Sequence, residues 1–176
     1  MRIADLLQER FEHSPAARLD DLAPPEGLSV DELTADLPQE NAAGLALALI
    51  LLRHGQLDAA HSLAQRIAGQ DGDFVHALMH RMEGDLGNAC HWHARHGPHP
   101  VHDRIAVAIR TGALPRPPCL DPQHYEADSL TRALRDGSDA ADLLPLHQAE
   151  IAELFAHLID RLSQGGPPPT TQGLPS

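Results

Sequence analysis

The sequence predicts an all-α fold, a single-domain helical bundle, and three observations carry that expectation. Apolar residues make up 42% of the chain but aromatics only 3%, so the core rests on Leu, Ala and Ile, which pack helix on helix more readily than they build sheets. Apolar positions recur at spacings of three and four along most of the 176 residues, with no alternating strand pattern above background. Glycines punctuate these segments where a left-handed residue would close a helix.

"RIADLLQERFEHS" sets Ile3, Leu6, Leu7 and Phe11 at helical spacing and predicts a first helix. The proline-punctuated "APPEGLSVDELTADLPQE" leaves room for one turn, with Ser29 as N-cap and Glu32 three residues on. "ENAAGLALALILLRHG" is apolar nearly all round and reads as the central buried helix. "QLDAAHSLAQRIAG" follows with Leu57, Ala60, Ala64 and Ile67 on one face, so the two form an αα-hairpin. "FVHALMHRMEG" and "DLGNACHWHARHG" predict a second, which places two consecutive hairpins within 40–97. At an offset of 29 residues Gly55, Leu57 and Ala60 align on Gly84, Leu86 and Ala89. These hairpins resemble tetratricopeptide-type helical repeats, where glycine makes the turn and alanine lets the helices approach.

"VHDRIAVAIRTG" supplies another helix, "ALPRPPCLDPQHYE" a proline-rich connection and "ADSLTRALRDG" a short helix. "HQAEIAELFAHLIDRL" is the long last helix, its stripe formed by Ile151, Leu154, Phe155, Leu158 and Leu162. Seven or eight helices are expected in a domain spanning 1–163. Residues 164–176, mostly Gly, Pro and Thr, read as a disordered tail.

Net charge is −12, with the acidic residues spread along the chain rather than gathered in a tail, and all thirteen basic residues are arginines. That balance argues against nucleic acid as a partner, since phosphates need a basic face. The longest apolar run, Leu45–Leu52, is too short to span a bilayer, and the N-terminus lacks the apolar stretch of a signal peptide. Cys90 and Cys119 suggest neither a zinc ribbon nor a disulfide framework. A cytoplasmic protein with no membrane association is the expectation.

Function, if chemical, concentrates in residues 73–103, which hold seven of the thirteen histidines. His76, His80 and Glu83 stand at i, i+4 and i+7 and share the polar side of one helix. Two imidazoles one turn apart can hold a divalent ion such as zinc, iron or manganese, with Glu83 as third ligand. "HALMH" has Ala where the HExxH motif of zinc proteases has its catalytic Glu. The same residues suit a hydrogen-bonded polar seam. His93 reads as a buried core histidine, Cys90 as facing the core, and His96 and His102 as solvated. Arg81, Glu83, Asp85 and Arg95 bring two cations and two carboxylates near one turn, either as an ion network or as a pocket for a small anionic or zwitterionic ligand. The candidate ligand-binding set is Arg81, Asp85, Asn88, Trp92, Arg95 and His99.

"HALMHRMEGDLGNACHWHARHGPHPV" resembles the central motif of an uncharacterised bacterial and fungal protein family, His-Ala-x-x-His-Arg-x-Glu-x-Asp-x-x-Asn-Ala-x-Tyr-Trp-x-x-Arg-x-Gly-x-His-Pro-Val. His76, Ala77, His80, Arg81, Glu83, Asp85, Asn88, Ala89, Trp92, Arg95, Gly97, His99, Pro100 and Val101 stand at matching places. His91 replaces the tyrosine. The segments "LDPQHYEADSLTRAL" and "HQAEIAELFAHLIDRL" resemble the family's C-terminal helices more loosely. The resemblance implies that the charged constellation is more than an accident of composition, and it brings no activity with it.

Two functional readings follow. One is a non-enzymatic helical binding or scaffold protein, using a polar groove at the second hairpin for a protein or a small ligand. The other is a metal-dependent or acid/base enzyme centred on His76, His80 and Glu83. A pH-responsive interface is a third, since thirteen histidines can offset much of the −12 charge.

Overall fold

A computed structural model describes residues 2–19, 29–35, 37–39 and 41–164. Among these the chain is helical, without a strand, and folds as one domain of nine helices: α1 (Ile3–Glu12), α2 (Val30–Thr34), α3 (Asn41–Arg53), α4 (Leu57–Ala64), α5 (Gln70–Met82), α6 (Leu86–His96), α7 (Pro100–Thr111), α8 (Ser129–Arg135) and α9 (Ala140–Ser163). The expected tail lies, from residue 165 on, outside the described residues. So does much of the proline-punctuated segment, although its single turn, α2, carries the Ser29–Glu32 capping box.

Apolar on every side, α3 can only sit at the centre, and Ala43 to Leu52 are all buried there. It is covered by α1, α2, α4, α5 and α9. Phe11 of α1 stacks on Phe155 of α9 with ring centroids 3.9 Å apart. Over that pair Arg53 lays its guanidinium, 4.1 Å from the Phe11 centroid, while its Nε and Nη2 donate to the Pro15 and Ser14 carbonyls.

The turns joining α3 to α4 and α5 to α6 close in the same way. Gly55 (φ 68°) and Gly84 (φ 77°) occupy the left-handed region, which L side chains adopt only with strain. In the first, Gln56 N–H donates to the Leu51 carbonyl; in the second, Asp85 N–H donates to that of His80, both at 2.9 Å. These six-to-one bonds are those of a Schellman cap.

The last helix is longer than expected. It starts at Ala140, where the Asp139 carboxylate accepts the Ala141 N–H at 2.9 Å, and runs through Pro145. A proline inside a helix removes one backbone bond and crowds the preceding turn, so the sequence pattern places the start beyond it. Burial of Leu143 and Leu146 on the α9 stripe offsets that loss.

Candidate metal centre

The α5–α6 hairpin and the sharp Gly97–Pro98 turn into α7 decide which histidines meet. His93 and His96, at i and i+3, face inward from α6, and His102 does so from the first turn of α7. Phe74 of α5 is their floor: its ring centroid lies 4.6 Å from that of His96 and 4.7 Å from that of His102. The three imidazoles are 1%, 5% and 4% exposed, so the expectation that His96 and His102 are solvated is corrected. Read locally, both flank a Gly-Pro stop; in the fold α7 begins at Pro100 and turns His102 onto Phe74.

One potential ligand atom from each ring lies within 4.8 Å of the other two. His93 Nδ1 and His96 Nε2 are 2.9 Å apart, one donating to the other. The remaining four ring nitrogens, His93 Nε2, His96 Nδ1 and both of His102, are buried without a hydrogen-bond partner. Buried polar atoms are nearly always paired, so four unpaired ring nitrogens in one cluster have the capacity to hold an ion or a water. Burial, reinforced by the positive charge of Arg81, pushes His93 well below the ordinary imidazole range. Burial and the neighbouring His102 take His96 down to about 3, and burial also lowers His102. All three are therefore neutral near pH 7, the form in which imidazole ligates metals.

Behind the cluster lies a buried ion pair. The Arg81 side chain and that of Glu150 are both fully buried; Arg81 Nη2 donates to Glu150 Oε2 and, at 2.9 Å, to His147 Nδ1. Tyr125 O–H donates to Glu150 Oε1 at 2.7 Å, and its own ionisation is pushed far up by burial beside that carboxylate. Glu150 Oε1 stands 4.0 Å from His102 Nε2. Arg81 was grouped with Glu83, Asp85 and Arg95 on local spacing, but its carboxylate partner comes from α9. The signal for Glu150 and His147 was present: both sit on the otherwise apolar stripe of α9.

A second cluster joins Asp71, His99 and His157, whose ligand atoms also lie within 4.8 Å. Its hydrogen bonds explain it without an ion. His99 Nδ1 accepts the Val101 N–H and so caps α7, and its Nε2–H donates to Asp71 Oδ1 at 3.0 Å. Neither ring nitrogen keeps a lone pair to give. Arg161 donates to the other Asp71 oxygen. Burial would raise the Asp71 carboxyl, but the His99 bond and the Arg161 charge hold it below its usual value. This cluster borders a cavity of about 740 Å³ whose walls include Arg95, Asp73 and His157.

The remaining candidates line the opposite side of the hairpin. His76 Nδ1–H donates to the Gly72 carbonyl at 2.9 Å, and its ring stacks on Trp92 with centroids 4.2 Å apart. His80 Nδ1–H donates to Glu83 at 2.9 Å while its Nε2 accepts from the Asn88 amide at 3.1 Å. Asp85 accepts the Asn88 N–H and caps α6. Arg95 covers the outer face of Trp92 at 4.5 Å and pairs with Asp73 at 3.3 Å. His76, His80 and Glu83 thus sit along one seam, but they are not among the groups whose ligand atoms converge within 4.8 Å among the described residues. Cys90, half-buried on α6, lies 3.9 Å from Arg135 Nη1.

Between the C-terminus of α6, the start of α7 and the connection before α8 opens a cleft of about 330 Å³. His93, His99 and His102 line it together with Asp103, Tyr125 and Asp128. No helix among the described residues is long and apolar enough to cross a membrane. The chain matches no protein-family model, no curated protein and no solved structure, so geometry alone carries the functional reading.

Proposed function

We propose that this chain is a helical metal-binding protein that holds one divalent transition ion on His93, His96 and His102. The observation that carries this reading is the set of four orphaned ring nitrogens in a buried, neutral three-histidine cluster. Three imidazoles without a carboxylate or thiolate favour zinc or copper; manganese, also considered from the sequence, prefers oxygen donors. Glu150 supports the reading from behind. A histidine bound to a metal through one nitrogen commonly offers the other N–H to a carboxylate, and Glu150 Oε1 lies 4.0 Å from His102 Nε2. The relevant motif shifts from His-x-x-x-His on α5 to His93-x-x-His96 on α6 with His102 beyond the turn. Both cysteines are unpaired, which suits a reducing, cytoplasmic setting.

The test uses full-length protein without a histidine tag, stripped by chelation and titrated with zinc. One equivalent should bind, and zinc at a hundredfold excess over Kd should stabilise the fold by about 2.7 kcal/mol. His93→Gln and His102→Gln should lose that uptake while keeping their helical circular dichroism; His76→Ala and His80→Ala should retain it. Uptake that survives both glutamine variants, or follows His76 and His80 instead, would sink the assignment.

A further inference from the structure

Resting on the metal reading above, we infer that the ion keeps one coordination position open to the 330 Å³ cleft, and that this position takes a small neutral nitrogen donor while penalising anions.

The protein supplies three donors, and a tetrahedral ion wants four. Glu150 is engaged elsewhere, with Tyr125 donating to one of its oxygens and Arg81 to the other, and it does not join the three-histidine group. No further His, Cys, Asp or Glu joins the three-histidine group among the described residues. Two of the three ligands, His93 and His102, form part of the cleft wall, each more than nine-tenths buried and each with an unpartnered nitrogen. Three protein ligands plus a position facing an open cavity is the arrangement of a zinc site that exchanges its fourth ligand, not of a closed structural site. The cleft is near the lower limit for a small-molecule pocket, so only a small molecule fits.

Charge at the rim sets the class of that molecule. Asp103, Glu126 and Asp128 surround the mouth. Arg132 pairs with Glu126 at 2.8 Å and with Asp128 at 3.1 Å, which leaves the rim negative and Asp103 its unneutralised carboxylate. An incoming anion is repelled; a neutral imidazole or an amine is not. Ala94 and Gly97 line the same wall and leave the approach free of bulk.

Cobalt(II) in place of zinc makes the fourth position visible, because its absorption bands change with ligand identity and number. Full-length cobalt protein is titrated with imidazole and, separately, with azide, which donate through the same element and differ in charge. Imidazole should shift the spectrum saturably. Ala94→Trp, which fills the cleft from an exposed helix position, should retain the cobalt spectrum and lose the imidazole response. Asp103→Asn should raise azide affinity relative to imidazole by about threefold. A cobalt spectrum indifferent to both probes overturns the open position. An azide-to-imidazole ratio unchanged in Asp103→Asn overturns the selectivity. Failure to take up cobalt at all defeats the metal reading itself, and so is told apart from either.

Discussion

The second hairpin, with the start of α7, carries two histidine groups, and they are built by opposite rules. On the outer seam His80 has both ring nitrogens engaged, by Glu83 and Asn88, and His76 is bonded to the Gly72 carbonyl and pressed on Trp92. On the inner side His93, His96 and His102 share one bond among six ring nitrogens. In sequence each group contains a pair of histidines at helical spacing, His76 with His80 and His93 with His96. Partners separate them: a polar side chain whose bonds are all made within the fold is a fastener, and one left unpaired in a dry interior is waiting for something.

Acid should have the largest effect, and His76 on the outer seam, also lowered by burial, shares in it. Burial holds His93, His96, His102 and His147 below the imidazole range in the folded chain, whereas unfolding returns each to about 6.5. Above that value the two states bind protons equally. As pH falls below it the unfolded chain takes up protons the folded one refuses, and this continues to about 3 for His96. Each such group removes about 1.4 kcal/mol of stability per pH unit. Apo protein should keep its melting temperature down to about pH 7 and lose it steeply below about pH 6. A flat profile to about pH 5 would mean the inner imidazoles are not buried neutral.

Next in size is the pair behind the cluster. Glu150→Ala leaves Arg81 as an unpaired buried charge and should cost about 3–5 kcal/mol in urea denaturation. Arg81→Met combined with Glu150→Leu should recover most of that loss, because an apolar pair replaces an ionic one at little net cost. A double variant no better than the single would assign the damage to lost packing. The outer seam should yield less: His80→Ala breaks the Glu83 and Asn88 bonds of a largely buried ring for about 1–2 kcal/mol, with zinc uptake intact. Least of all is Arg95→Ala. It removes a half-exposed ion pair and an aromatic contact for about 0.5–1 kcal/mol by thermal melt. A loss as large as that of Glu150→Ala would make the seam, not the cluster, the chain's critical polar element.

How far the sequence carried the reading follows the range of each interaction. The helical class and the buried α3 were legible because periodicity is local. So was the Ser29 cap, which needs only four residues. The start of α9 was not, since Pro145 argues against a helix that only tertiary burial of Leu143 and Leu146 sustains. At the site, local spacing singled out His76, His80 and Glu83, whereas the ligand atoms that converge in the fold belong to His93, His96 and His102. His76 and His80 look like ligands because they are one turn apart. His96 and His102 look like loop residues because a Gly-Pro turn lies between them. Arg81 meets Glu150 across a separation of 69 residues, which no short-range pattern can display.

The clamp of Asp71 between His99 and Arg161 has a consequence for how the chain is made. Its two carboxylate bonds span 28 and 90 residues, so the first can close early and the second only when the end of α9 has been synthesised. A nascent chain therefore displays all three inner histidines well before Glu150, which lies beside His102, and Arg161, which clamps Asp71, exist. Vectorial synthesis leaves a window in which α5, α6 and α7 exist without α9. On the metal reading proposed above, an ion present during translation would meet the three histidines before α9 is in place.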